Sequence, residues 1–359
     1  MPHVADEGLA LLAGLNCSPK RGFLSEYSSR IGHRHVIELL AAYHELGDSK
    51  HLFDGGSFNL DFHSIPYYGE HPALERSWVA MRSRRQKSVL AFLAQDLAGR
   101  AFCYSNADIR KGEEADEILR FIAFWKRVRG ALPKHLVFDC KLTTQKNLAA
   151  IDQLGIRFIT LRARSPKLNR EIALLPASAW RVVELDVPTR KFRFPKVFEQ
   201  TVRLAGRDFR QLFIKDLGHE EATILLCNEE AKVSSKAIIT RYAQRMLIEN
   251  ALSDAVRFFH MNALSSAVGL KVDFDMALLV IASGLYRLLA EKMRGYRDAH
   301  AGRIFRDLVD IPATVTVDTT GVTVQFHRRA HLPIIIDSGL LNSPVKVPWW
   351  NGMALRITT

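Results

Sequence analysis

The sequence lacks most features that announce a common chemistry. Its four cysteines, Cys17, Cys103, Cys140 and Cys227, lie far apart and form no C-x-x-C pair. That argues against a disulfide framework and a cysteine-based zinc site, and suits a reducing cytoplasm. No G-x-x-x-x-G-K-[ST] or G-x-G-x-x-G segment occurs, so nucleotide-driven remodelling and dinucleotide redox chemistry lack their phosphate cradle. His219-Glu-Glu-Ala-Thr begins like a zinc-protease helix, but Thr223 stands where a second histidine is needed. The longest apolar stretch, 276–290, is too short to span a bilayer and is broken by Tyr286 and Arg287. The first residues lack the basic-then-apolar order of a signal peptide. There is neither an internal repeat nor a low-complexity linker. A soluble cytoplasmic protein with no membrane partner is expected.

Acidic residues are the scarcer charge, 38 against 50 Lys and Arg, for a formal net charge of +12. The excess favours a polyanionic partner over an acidic small substrate. Nearly half of the 359 residues are hydrophobic, enough for a sizeable core and two or three structural units.

Residues 1–55 read as a helical region, with apolar residues at three- and four-residue spacings in His35-Val-Ile-Glu-Leu-Leu-Ala-Ala-Tyr-His-Glu-Leu. Three runs of strand character follow, at 57–63, 88–96 and 101–105, separated as hairpin-linked strands would be. An amphipathic helix is predicted over 113–129, closed by Pro133. Then come a buried strand at 135–140, a helix over 143–154 ended by Gly155, and a strand at 156–161. This β-α-β unit implies a parallel pair. Alternating segments make 166–227 a β-rich insertion. Helices are predicted over 234–259 and 275–292, and the 293–359 region carries a plausible hairpin through Asp318-Thr-Thr-Gly. Three strands, a helix, then alternating strands and helices give an α/β ribonuclease-H-like mixed sheet flanked by helices. On this reading 56–165 and 228–292 are the two parts of the core.

Asp61 sits inside the first strand, between Leu60 and Phe62, where an aspartate is disfavoured and costly to bury unpaired. Asp139 repeats this at the end of Leu136-Val-Phe-Asp, where ligands collect in open α/β sheets. Either alone also suits a strand-end turn cap. In this fold order the first and fourth strands are neighbours, which would bring the two carboxylates face to face. Tyr242, Arg245 and Glu249 are spaced i, i+3, i+7 and share one stripe of a helix, although a solvated face with an Arg-Glu pair has the same spacing.

Asn59-Leu-Asp-Phe-His-Ser-Ile-Pro, Val137-Phe-Asp-Cys-Lys-Leu-Thr-Thr with Gly155-Ile-Arg-Phe-Ile-Thr, and Tyr242-x-x-Arg-x-x-x-Glu together resemble bacterial insertion-sequence DDE transposases of the YREK subgroup. The resemblance covers about residues 57–289, including the β-rich insertion before the glutamate. It implies that Asp61, Asp139 and Glu249 are catalytic and hold two Mg²⁺ or Mn²⁺ ions, with Asp61 bridging both. It implies that Tyr242 and Arg245 handle DNA phosphates. Val256 replaces the subgroup's lysine, leaving Arg257 or His260 as substitute cations. About 55 residues before the first strand leave little room for an end-binding region, so an N-terminal truncation is expected.

The resemblance implies DNA transposition: cleavage at transposon ends, then joining of the freed 3′-hydroxyl to target DNA, by a homodimer pairing two ends. Basic segments expected on the double-stranded DNA are Arg82, Arg84, Arg85 and Lys87, then Arg162 and Arg164, then Arg328 and Arg329. Trp180 could stack on an extruded base or simply pack in a core, and Trp349 and Trp350 carry the same two readings. His63 and His71 would line the site's edge. Two alternatives share this pattern: a ribonuclease-H-like nuclease without strand transfer, and a non-catalytic transposase-derived DNA-binding protein.

Overall fold

The computed structural model describes residues 6–68, 74, 76–79, 83–109, 112–139, 144–185, 192–263, 272–342 and 344–359. They fall into two compact units, Ile37–Ser253 and the combination of Met1–Val36 with Asp254–Thr359.

Helices α1 (Glu7–Leu12), α2 (Arg21–Tyr27) and α3 (His33–Ser49) precede four strands, β1 (Ser57–Pro66), β2 (Arg76–Val79), β3 (Arg84–Asp96) and β4 (Phe102–Asn106). Then follow α4 (Glu117–Arg129), β5 (His135–Phe138), α5 (Gln145–Gln153), β6 (Arg157–Leu161), α6 (Pro166–Leu174), β7 (Arg181–Val182), β8 (Lys196–Leu204), β9 (Arg207–Lys215) and β10 (Thr223–Cys227). Helices α7 (Ser235–Ala243), α8 (Met246–Arg257), α9 (Val272–Lys292) and α10 (Ala301–Ile304) come next. The chain continues through β11 (Ala313–Asp318), β12 (Gly321–Phe326), α11 (Leu332–Asp337), β13 (Val345–Lys346) and β14 (Ala354–Thr358).

Local chemistry sets several of these limits. The N–H of Gly130, at φ 68°, caps Lys126 O and ends α4. The Thr144 and Ser165 side chains accept from Asn147 N and Leu168 N to start α5 and α6.

In the first unit β3 pairs antiparallel with both β4 and β1, while β1, β5 and β6 run parallel as neighbours. The order β4-β3-β1-β5-β6 is that of a ribonuclease-H-like core, as expected. The predicted β-rich stretch differs in two ways. It opens on a helix, α6, because Ser165-Pro166 is a capped start and Leu168 and Ile172 pack on Phe213 and Ile224. Its strands also lengthen the central sheet, β10 pairing antiparallel with β6 and continuing through β9, β8 and β7. The short β2, paired with β3, was not predicted.

Strand alternation gives this sheet two distinct faces. On one, Phe58 and Phe92 meet Phe121 of α4, and Phe58 lies 4.5 Å from the Trp125 ring. The other carries Ile159, Leu212 and Leu225, covered by Ile238 and Ile239 of α7. In the second unit β11-β12-β14-β13 form a smaller sheet, its β11–β12 turn closed by Asp318, whose side chain accepts from the Thr320 and Gly321 N–H groups. Its α9 helix begins at Val272, close to the predicted start. Among the described residues no helix is long and apolar enough to cross a membrane.

The approach to β1 is tied down by Asp96. This buried carboxylate accepts from Gly55 N at 2.9 Å and Gly99 N at 2.7 Å, joining the start of β1 to the β3–β4 turn. A Cβ on Gly99 would lie 1.9 Å from Leu52 O. Gly99→Ala should therefore destabilise the protein by about 1–3 kcal/mol, read from urea unfolding. A midpoint equal to that of the wild type would contradict the close approach.

Candidate functional site

Asp61 and Asp139 are brought together by the pairing of β1 with β5. Asn59 is level with Val137 in that parallel ladder, and two residues farther along each chain stand Asp61 and Asp139. By alternation both face the side covered by α7, away from α4. Each is half-buried, and their charges interact. Asp61 also accepts from the N–H of Phe62 at 2.9 Å.

The segment facing them departs from its predicted form. Instead of one helix over 234–259, α7 ends at Ala243, Gln244 and Arg245 form a turn, and α8 starts at Met246. Leu247 N donates to Gln244 O at 2.9 Å and Ile248 N to Arg245 O at 3.1 Å, the tight pattern of a single 3₁₀ turn. Two buried side chains on the sheet compete for the same backbone: Asn59 Nδ2 donates to Gln244 O and Gln95 Nε2 to Leu247 O, each at 3.3 Å. The predicted single stripe is thus split, with Tyr242 in α7 and Glu249 in α8.

Arg245, at the split, links the sheet to the helix. Its Nη1 donates to Asp61 Oδ2 at 3.0 Å, and its Nη2 lies 3.4 Å from Glu249 Oε1. Glu249 is otherwise exposed, at 54% of its side chain. The charges of Arg245, Asp139, Glu249 and Asp61 all act on the Tyr242 hydroxyl. Five predicted residues therefore converge in one unit of the fold.

Burial pushes the Asp61 carboxyl up to about 6, against the pull of Arg245 and the Phe62 N–H, with Asp139 and Glu249 adding to the rise. Burial also lifts the Tyr242 hydroxyl well above its ordinary value, so it remains a neutral donor. The Arg245 guanidinium is held firmly protonated: burial opposes its charge, but Asp61, Tyr242, Glu249 and Asp139 outweigh it.

Three carboxylates whose charges act on one another suit a hard divalent cation in kind and in charge. In this fold, however, the balancing cation is Arg245. Among the described residues no group of three or more His, Cys, Asp or Glu side chains is gathered closely enough to hold a metal ion. In chemical kind the three carboxylates fit such an ion; in their present disposition one of them is paired with Arg245.

The remaining predicted residues are dispersed. Arg84 and Arg85 are exposed on β3 and Lys87 is half-buried there. Lys87 lies six residues (93 to 87) along β3 from Leu93, the cross-strand partner of Asp61, or about 20 Å. Arg82 and His71 lie outside the described residues, and His63 is half-buried on β1. Arg162 and Arg164 follow β6, but both are engaged within the fold: Arg162 donates to Gln211, and Arg164 pairs with Glu221 and donates to Ala222 O at 3.0 Å. Trp180 packs on the Leu168, Ile172 and Phe213 cluster with Lys215 Nζ 4.2 Å from its ring centroid, the arrangement of a packing tryptophan. In the second unit Arg257, His260, Arg328, Arg329 and Trp349 are exposed, Val256 is half-buried, and Trp350 donates to Leu11 O at 3.2 Å.

No family model matches the chain, and no curated protein matches it in sequence. Among solved structures, a piggyBac transposase synaptic complex with hairpin DNA is similar over 64% of this chain and 47% of that one, with 10% identity and a TM-score of 0.37. The chain spans about half the length of that transposase. The fold assignment stands on strand order and direction, independently of this likeness.

Because Arg245 lowers the Asp61 pKa, removing its charge should raise it. In Arg245→Met the Asp61 carboxyl should titrate above its wild-type value of about 6, followed by ¹³C carboxylate NMR with Asp61→Asn for assignment. A raised value means that the folded protein binds this proton more tightly than the unfolded chain. Burial of the charged carboxylate therefore weighs against folding above pH 6, and the penalty is relieved as pH falls from about 6 towards the ordinary 3.8. An unchanged or lower value in the variant would refute the ion pair.

Proposed function

We propose that the chain is a transposase of the three-carboxylate class, cutting DNA at transposon ends and transferring the freed 3′-hydroxyl strand to target DNA. The observation that carries this reading is the convergence of Asp61, Asp139, Tyr242, Arg245 and Glu249, from three distant stretches of sequence, on one face of a ribonuclease-H-like sheet. It is also the set implied by resemblance to the YREK insertion-sequence transposases.

Asp61 and Asp139 from the sheet and Glu249 from α8 would hold two Mg²⁺ or Mn²⁺ ions. Such ions, when bound, activate a water or a 3′-hydroxyl and offset charge on the leaving oxygen. Arg245, with its planar fork of donors, would leave Asp61 for a backbone phosphate. Tyr242, kept neutral by burial, donates its O–H to a phosphate oxygen. Arg84, Arg85 and Lys87 add salt-sensitive affinity for double-stranded DNA without reading its sequence. Pairing two transposon ends calls for two copies of the chain.

Purified protein should nick supercoiled plasmid in Mg²⁺ or Mn²⁺ and not in EDTA. Asp61→Asn, Asp139→Asn and Glu249→Gln should each lower that rate more than the roughly 100-fold typical of losing a mere supporting partner of a metal ligand, with DNA binding retained. Joining of a recessed 3′-hydroxyl oligonucleotide to plasmid separates a transposase from a nuclease, which would cut and not join. DNA binding indifferent to Mg²⁺, with no cleavage by the wild type, would identify the non-catalytic binder instead.

A further inference from the structure

Two amides occupy positions on the sheet where apolar side chains would serve better. Asn59 on β1 and Gln95 on β3 are direct cross-strand partners, 0% and 1% exposed. Leu60, Phe92, Leu93 and Ala94 around them are fully buried and apolar. Burying a primary amide is unfavourable unless its groups are hydrogen-bonded, and a branched or aromatic pair would strengthen two adjacent strands more.

The hydrogen bonds show what the amides hold. Asn59 Nδ2 is shared between Gln95 Oε1 at 3.4 Å and Gln244 O at 3.3 Å. Gln95 Nε2 is shared between Arg100 O and Leu247 O, both at 3.3 Å. Asn59 Oδ1 has no partner among the described residues, so the pair is not arranged to satisfy itself. The two helix-segment carbonyls it grips bracket Arg245 and Met246, the point where α7 gives way to α8. Asp61 lies two residues beyond Asn59 on the same face of β1, about 7 Å along the strand. The two amides thus contact the backbone on either side of the residue that reaches Asp61, one turn before Glu249.

We propose that Asn59 and Gln95 are positioning residues: a buried amide pair that imposes the α7–α8 break and so holds Tyr242, Arg245 and Glu249 in register with Asp61 and Asp139. This rests on the transposase reading for its catalytic consequence, but the grip itself can be tested without activity.

Two variants of similar size, Asn59→Leu and Gln95→Met, remove the donors. Hydrogen exchange read by mass spectrometry should show faster exchange over residues 244–250 with the peptides covering β1 and β3 unchanged. If the protein cleaves plasmid, kcat should fall about 10- to 100-fold, the scale of a catalytic group displaced by an ångström, while the DNA concentration for half-maximal rate moves less than about threefold. The exchanged pair Asn59→Gln with Gln95→Asn, which restores both donors, should recover protection at 244–250 and most of the rate. Unchanged exchange over 244–250 would overturn the proposal. So would equal loss of protection across β1, β3 and 244–250, since the amides would then serve the sheet and not the helix. A wild type without cleavage defeats the transposase reading and leaves the exchange measurement to decide the grip.

Discussion

The site depends on a single ion pair closed across 184 residues of sequence, Arg245 Nη1 to Asp61 Oδ2 at 3.0 Å. Asp61 is placed by a sheet and Arg245 by a turn between two helices, and each lowers the cost of burying the other. An aspartate this buried beside Asp139 and near Glu249 already has its pKa pushed up to about 6, and without a cation nearby it would rise further. A guanidinium equally enclosed would lose its nearer counter-charge and keep only the more exposed Glu249, 3.4 Å from Nη2. Removing one partner of such a pair leaves an uncompensated charge, which costs far more than the pair gains when intact.

The same ion pair gives the proposed chemistry a two-state character. With Arg245 on Asp61, one charge of the carboxylate cluster is offset from within. A polyanion offering phosphate oxygens to Arg245 would leave three carboxylates needing another positive charge, which a divalent ion satisfies. Anion and cation would then favour each other's binding, as any two ligands that select one state must. The formal charge of +12 acts at longer range, drawing a polyanion to the surface without choosing where it settles.

Much of the fold is legible in the sequence because its signals are local. The strands at 57, 88, 101, 135 and 156 are apolar runs between turn residues, and the aspartates inside the first and at the end of the fourth point to a site once their order implies adjacency. What escapes is what only tertiary contact decides. Residues 76–79 form a strand solely because β3 extends beyond β1 and offers an edge. Residues 166–174 alternate little more than their neighbours, yet Leu168 and Ile172 find a cluster to pack on. The stretch around Arg245 has unbroken helical propensity, and only the amides of Asn59 and Gln95, remote in sequence, explain the turn. Arg162 and Arg164 show another contact that only the fold reveals: both make side-chain contacts within the chain, to Gln211 and Glu221.

The central claim is that Asp61, Asp139 and Glu249 together bind divalent metal. Fe²⁺ in place of Mg²⁺, with ascorbate and peroxide, generates hydroxyl radicals that cut the polypeptide close to the ion. With DNA present, fragments should end near residues 61, 139 and 249, be suppressed by excess Mg²⁺, and vanish in Asp139→Asn. Cuts confined to other parts of the chain, or an identical pattern in that variant, would contradict the account.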